Sequence, residues 1–256
     1  MLLGKKQLLV TCLLGIIFNA HAQRQYKPSS VLAAGNFYKI AVTAPGIYKI
    51  DIPFLSSLGI NTSNLPSGAI RLFGNGGAML AEANNAPWTD DLTENAVQVA
   101  DGNDGVLNGS DYILFYANGP DNWIKDSANQ RFTHQKNLYS DKSYYFLSVG
   151  GQGKRIADAP SAGNPDLTIT SFSGRYFHEL DTVNFLNSGR EWYGEEFSAM
   201  PGRVLTRDFP LGIPNILSGS PLQLRTHCIS RSAGVGSSFS VAISGVPSGQ
   251  INLPPI

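Results

Sequence analysis

Asp101-Gly-Asn-Asp-Gly-Val-Leu-Asn-Gly-Ser-Asp111 runs straight into Tyr112-Ile-Leu-Phe-Tyr-Ala117, a step from turn to strand in one continuous stretch. The first part packs three aspartates, two asparagines and three glycines into eleven residues. Such a backbone turns sharply, and its carboxylates point either inward at a cation or outward at water. The second part is aromatic, β-branched or apolar on both alternating faces and stops at Asn118-Gly-Pro120. It is too short for a helix and reads as a buried strand.

The loop resembles an EF-hand calcium loop with one residue missing. That pattern asks for oxygen ligands at loop positions 1, 3 and 5, glycine at 6 and a carboxylate at 12. With Asp101 first, Asn103 fits, but Gly105 falls where a ligand belongs and Asp111 comes one place early. With Gly105 at the glycine position, Asp104, Asn108 and Asp111 fit, while Ala100 and Gly102 replace ligands. Asp101, Asn103, Asp104, Asn108 and Asp111 are therefore the candidate metal ligands, for calcium. A plain glycine-rich connection between strands is the competing reading, and both stay open.

Composition points the same way as the strand. The 256 residues hold 42% hydrophobic and only 15% charged side chains, with 27 glycines and 15 prolines, and many short β-rich runs lie between turn signals. This predicts an all-β fold: an antiparallel β-rich N-terminal domain with one short helix, followed by a partial β-sandwich domain. The 19 basic and 19 acidic residues balance, which leaves no basic footprint for nucleic acid and no polybasic patch for a membrane surface.

Residues 1–22 read as a signal peptide. Lys5 and Lys6 form the charged region, Leu8 to Phe18 the apolar one, and Ala20-His21-Ala22 a cleavage site before Gln23. That predicts export, to the periplasm or the outer cell surface of a Gram-negative bacterium. The apolar run is too short for a transmembrane segment, and nothing later resembles one. Cys12 would leave with the signal, so Cys228 would remain without an intrachain disulfide partner.

Further domain limits follow from composition: a β-rich domain over 23–150, a connecting β segment over 151–197 and a truncated partial sandwich over 198–256. Phe37 to Thr43 and Ile47 to Ile50 alternate around Ala44-Pro45-Gly46, which predicts a hairpin. Pro53 to Leu58 has helical spacing and ends at Gly59. Strands are expected at 69–73, 78–82, 112–117, 144–149, 167–172, 204–209, 222–230 and 239–244.

Chemistry is sparse. Asp90, Asp91 and Glu94 read as solvated loop acids, and His134 and His178 as lone surface histidines. His227 and Cys228 are neighbours on an expected strand, so their side chains point to opposite faces and cannot make a nucleophile-base dyad. G-x-S-x-G, H-E-x-x-H, C-x-x-C and P-loop patterns do not occur.

Several strings together resemble one family. Gly46-Ile-Tyr-Lys-Ile50, Ile70-Arg-Leu-Phe-Gly-Asn-Gly-Gly77, Asp111-Tyr-Ile-Leu-Phe-Tyr-Ala117, Ser143-Tyr-Tyr-Phe-Leu147 and Ser188-Gly-Arg-Glu-Trp-Tyr-Gly194 are similar to the N-terminal region of PorU-type sortases. These belong to the type IX secretion system and are related to gingipain-type cysteine peptidases. The resemblance implies a cell-surface enzyme that cleaves C-terminal sorting domains from secreted cargo and transfers the new end to surface lipopolysaccharide. It implies cargo proteins and outer-membrane secretion components as partners. The family's cysteine-peptidase domain would lie beyond Ile256, so the chain reads as a non-catalytic N-terminal portion, a fragment of such a protein. A free-standing exported β-sandwich that binds glycan or a surface protein through Trp88, Trp123 or Trp192 is the alternative.

Overall fold

The computed structural model describes residues 26–256 except 162, 186, 188 and 190. The signal segment expected over 1–22, including Cys12, lies outside the described residues, as do Ser188 and Arg190 of the fifth family-like string. The fold is all-β, built of antiparallel sheets with one short helix. Two units form: one runs to Asp166 and includes Glu179–Glu195, and the other comprises Leu167–His178 and Glu196–Ile256.

The first unit contains β1 (Phe37–Val42), β2 (Gly46–Asp51), α1 (Ile52–Ser57), β3 (Leu65–Pro66), β4 (Ile70–Phe73), β5 (Glu94–Asn95) and β6 (Gln98–Ala100). It continues with β7 (Val106–Leu107), β8 (Tyr112–Ala117), β9 (Asn122–Asp126), β10 (Arg131–Gln135) and β11 (Ser143–Val149). Strand order is β1-β11-β4-β5 in one sheet and β2-β8-β6 in another, with β3-β7 and β9-β10 as separate pairs. Both larger sheets feed one core. Ile50, Ile113, Phe115 and Ala117 come from the second, and Val42, Ile70, Leu72, Tyr145 and Leu147 from the first.

Alternation explains which residues go in. In β8, Ile113, Phe115 and Ala117 are buried, while Tyr116 on the opposite face is exposed. The strand read as buried on both faces is thus fully buried on one. Each fully buried Leu, Ile or Phe contributes about 1.5–3 kcal/mol of transfer free energy. Leu55 brings α1 into the same core. That helix starts where the Asp51 carboxylate accepts the Phe54 amide at 3.0 Å and stops at Gly59, whose φ is 80°.

The expected hairpin over 37–50 does not form. β1 pairs with β11 from Phe37↔Ser148 to Val42↔Ser143, and β2 pairs with β8 from Gly46↔Ala117 to Asp51↔Tyr112. Ala44-Pro45-Gly46 therefore carries the chain from one sheet to the other. Each partner offers a ladder of six residue pairs plus inward side chains from the common core, which a hairpin of β1 on β2 would forgo. The segment 78–82 is irregular too, and β4 takes β5 as its antiparallel partner.

The chain after β11 packs back onto the first unit. Val97 and Arg155 form a parallel bridge, and the Arg155 guanidinium donates to the carbonyls of Ile70 and Ser67 at 3.1 and 2.6 Å. In the second unit, β12 (Ser237–Ile243) and β13 (Val246–Leu253) make an antiparallel hairpin. Ser244 and Gly245 both take positive φ at its tip, as a two-residue hairpin turn requires. The segments 167–172, 204–209 and 222–230 lie outside the strands and carry no ladder, contrary to their alternating patterns. Phe172 is 92% exposed and Leu205 67%, so these patterns have no core to face within the described residues.

Candidate functional site

The loop 101–111 connects β6 to β8 by way of β7, and its acids serve its own backbone. Asp101 Oδ1 accepts the Asn103 amide at 3.0 Å, and Asp104 Oδ1 accepts the Val106 amide at 2.9 Å. Asp111 Oδ2 accepts the Asn108 amide at 2.8 Å, while the Asn108 side-chain amide reaches Asp104 Oδ2 at 3.4 Å. Gly102, Asn103, Gly105 and Gly109 take positive φ between these turns. The Ser67 hydroxyl, then the Asn103 amide, hold the Asp101 carboxyl below the usual carboxylate range. The five sequence-derived ligand residues are thus neighbours, but each carboxylate already caps an amide. No group of three or more His, Cys, Asp or Glu among the described residues is arranged to hold a metal ion.

The acids read as solvated are instead structural. Asp91 is buried and accepts the Ser30 hydroxyl at 2.8 Å and the amides of Val31 and Leu92 at 2.7 and 2.8 Å. Loss of hydration works against its charge, yet these donors outweigh it and lower its carboxyl below the usual value. Glu94 pairs with Arg71 at 2.8 Å across β4 and β5. No sequence signal separates such acids from loop acids, because their partners lie far away along the chain.

His134 is not the surface histidine expected. Its side chain is only 9% exposed, packs edge-on to Trp123 at 4.9 Å and lies 3.9 Å from Asp121. Burial lowers its imidazole below the usual value, against the pull of Asp121. His178 packs on Phe209 at 5.1 Å. Cys228 is half-buried, and burial pushes its thiol up, the opposite of what a nucleophilic cysteine requires.

Two of the family-like strings meet in the first unit, next to the residues that follow a third. Gly74 and Gly77 of the β4 string, Asn118 and Gly119 after β8, and Ser143 and Tyr145 of β11 form one joint. A Cβ on Gly74 would come 2.5 Å from the Tyr145 ring, and one on Gly77 would lie 2.0 Å from the Gly119 carbonyl oxygen. The Ser143 hydroxyl donates to the Asn118 carbonyl. Here the glycines serve close packing and not phosphate binding.

No family model matches the sequence, and no curated protein matches it. Among solved structures the chain is similar to the dimeric latent PorU from Porphyromonas gingivalis, at 30% sequence identity and a TM-score of 0.39. That match covers 53% of this chain and 11% of the PorU chain, so this chain corresponds to a small part of its length.

Proposed function

We propose that the chain is a non-catalytic, all-β N-terminal portion of a cell-surface type IX secretion sortase. In that role it positions a cysteine-peptidase domain and contacts secreted cargo or outer-membrane secretion components. The supporting observation is the joint at Gly74, Gly77, Asn118, Ser143 and Tyr145, where two strings that resemble the sortase family pack against each other and against the residue that follows a third. Residues that carry a family likeness are then the ones that hold the sheets together, as a shared scaffold would require. Export to the periplasm or outer surface belongs to the same reading.

An antiserum raised against the purified chain tests this on envelope fractions. A surface-exposed species much larger than 27.5 kDa is expected. A stable species of that mass or slightly below, with no larger form, would reject it. The purified chain should also retain the C-terminal sorting domain of a secreted cargo protein without cleaving it.

A free-standing glycan- or protein-binding module is the second reading. Tyr26 and Trp88, whose rings lie 6.0 Å apart and are both solvent-exposed, are the observation in its favour. Saturation-transfer NMR with oligosaccharides would report on it directly.

A further inference from the structure

The chain holds three Asn-Gly pairs, at 75–76, 108–109 and 118–119. Asparagine is a thermolabile side chain, and a following glycine leaves its own amide nitrogen uncrowded because it has no Cβ. That nitrogen attacks the asparagine Cγ. The new C–N bond closes a five-membered imide, the Cγ–Nδ2 bond breaks, and the proton lost from the glycine amide leaves with Nδ2 as ammonia. Water then opens the ring at either carbonyl, which yields aspartate or isoaspartate. Ring closure requires the side chain and the next amide to turn toward each other, and the fold treats the three pairs differently in this respect.

Two of the pairs are held by residues far along the chain. Asn75 Nδ2 donates to the Asp91 carbonyl at 3.0 Å, and its Oδ1 accepts the Thr93 amide at 2.8 Å, so both ends of that side-chain amide are fixed. At Asn118 the main chain is fixed instead, by the Tyr145 phenol on its amide and the Ser143 hydroxyl on its carbonyl. Gly119 is buried, and Pro45 stands 2.9 Å from the place of a Cβ on it. Turning either pair breaks bonds that join separate elements of the first unit.

Asn108 is tied within its own loop. Its amide donates to Asp111 Oδ2 at 2.8 Å, its carbonyl accepts the Asp111 amide at 2.9 Å, and its Nδ2 reaches Asp104 Oδ2 at 3.4 Å. Asn108 and Gly109 are both exposed, and a Cβ on Gly109 would meet nothing within 4 Å. Local opening of these bonds disturbs no sheet pairing.

We propose that Asn108-Gly109 is a self-modification site, at which Asn108 converts to aspartate and isoaspartate in the folded protein while Asn75 and Asn118 survive. The product loosens the loop ahead of β8. Either product puts a carboxylate where the Nδ2 donor faced Asp104, and like charges replace a hydrogen bond. Isoaspartate also routes the main chain through the side-chain carbon, so the amide and carbonyl of residue 108 no longer match Asp111. Leu107 and Ile113, buried on either side, keep the flanking strands in the core.

Peptide mapping by mass spectrometry, on the whole chain aged in mildly alkaline buffer with and without unfolding concentrations of urea, tests this. In native buffer Asn108 should deamidate many times faster than Asn75 and Asn118. In urea the three rates should converge, because only the fold separates them. The Asp111 amide should exchange with deuterium faster in aged than in fresh wild type. In Asn108→Gln, which would have to close a six-membered ring, ageing should leave that exchange unchanged. Equal native rates at the three pairs would overturn the assignment, as would rates in urea as unequal as the native ones. An aged, deamidated chain whose Asp111 amide exchanges no faster than before would overturn the loosening.

Discussion

The backbone amide of Asn118 donates to the phenolic oxygen of Tyr145 at 2.8 Å, which ties the end of β8 in one sheet to the middle of β11 in the other. Tyr145 is 1% exposed, and its ring lies 5.4 Å from that of Phe115. Removing only the hydroxyl, in Tyr145→Phe, should cost about 0.5–1.5 kcal/mol in urea unfolding. Tyr145→Ala should cost about 3–5 kcal/mol, because a cavity is added to the lost contacts. Equal costs would mean that the bond between sheets, and not the ring, carries the stability.

Gly74 and Gly77 differ in what a side chain would meet. At Gly74 the nearest atoms are those of the Tyr145 ring, and at Gly77 the nearest is a backbone carbonyl oxygen at 2.0 Å. A ring can shift and a sheet-bound backbone cannot do so cheaply. Gly74→Ala should therefore lose about 1–3 kcal/mol, and Gly77→Ala more than that, measured as shifts of the denaturation midpoint.

Glu94 sets part of the acid limb of stability. The hydrogen bond from Arg71, then the Lys154 amide and both positive charges, lower its carboxyl below 4.5 against the cost of burial. A lowered carboxyl stabilises above its unfolded value, and the gain is lost as pH falls through the folded one. Wild type should exceed Glu94→Gln in melting temperature near neutrality. The two curves should converge below the usual carboxylate range; a constant offset down to acid pH would disprove the linkage.

The loop 101–111 should fold without a cation, since its three aspartates already receive backbone amides. Thermal melts in excess calcium and in excess chelator should coincide, and calorimetric titration with calcium should give no heat. An upward shift with calcium would show that Asp101, Asp104 and Asp111 exchange these amides for metal coordination.

Much of the first unit was legible because its signals are local. The strands at 112–117 and 144–149 lie where apolar alternation ends in Asn-Gly or Gly-Gly, and α1 lies between an aspartate cap and Gly59. The pairing was not legible. Ala44-Pro45-Gly46 satisfies the rules for a tight turn, yet β1 and β2 go to different sheets because β11 and β8 compete for them and win. In the second unit, alternation at 222–230 predicted a strand that lacks a ladder, since alternation states only which face would be buried if a partner were present.

The site residues divide in the same way. Clustering of Asp101, Asp104 and Asp111 is a matter of spacing within one short loop, and the sequence determined it alone. What those carboxylates do, whether Asp91 is solvated or buried, and why Lys136 meets Asp181 were decided only by tertiary structure. Turn and strand preferences act over a few residues. A hydrogen bond or ion pair between groups some sixty or forty-five positions apart exists only once the sheets have brought them together.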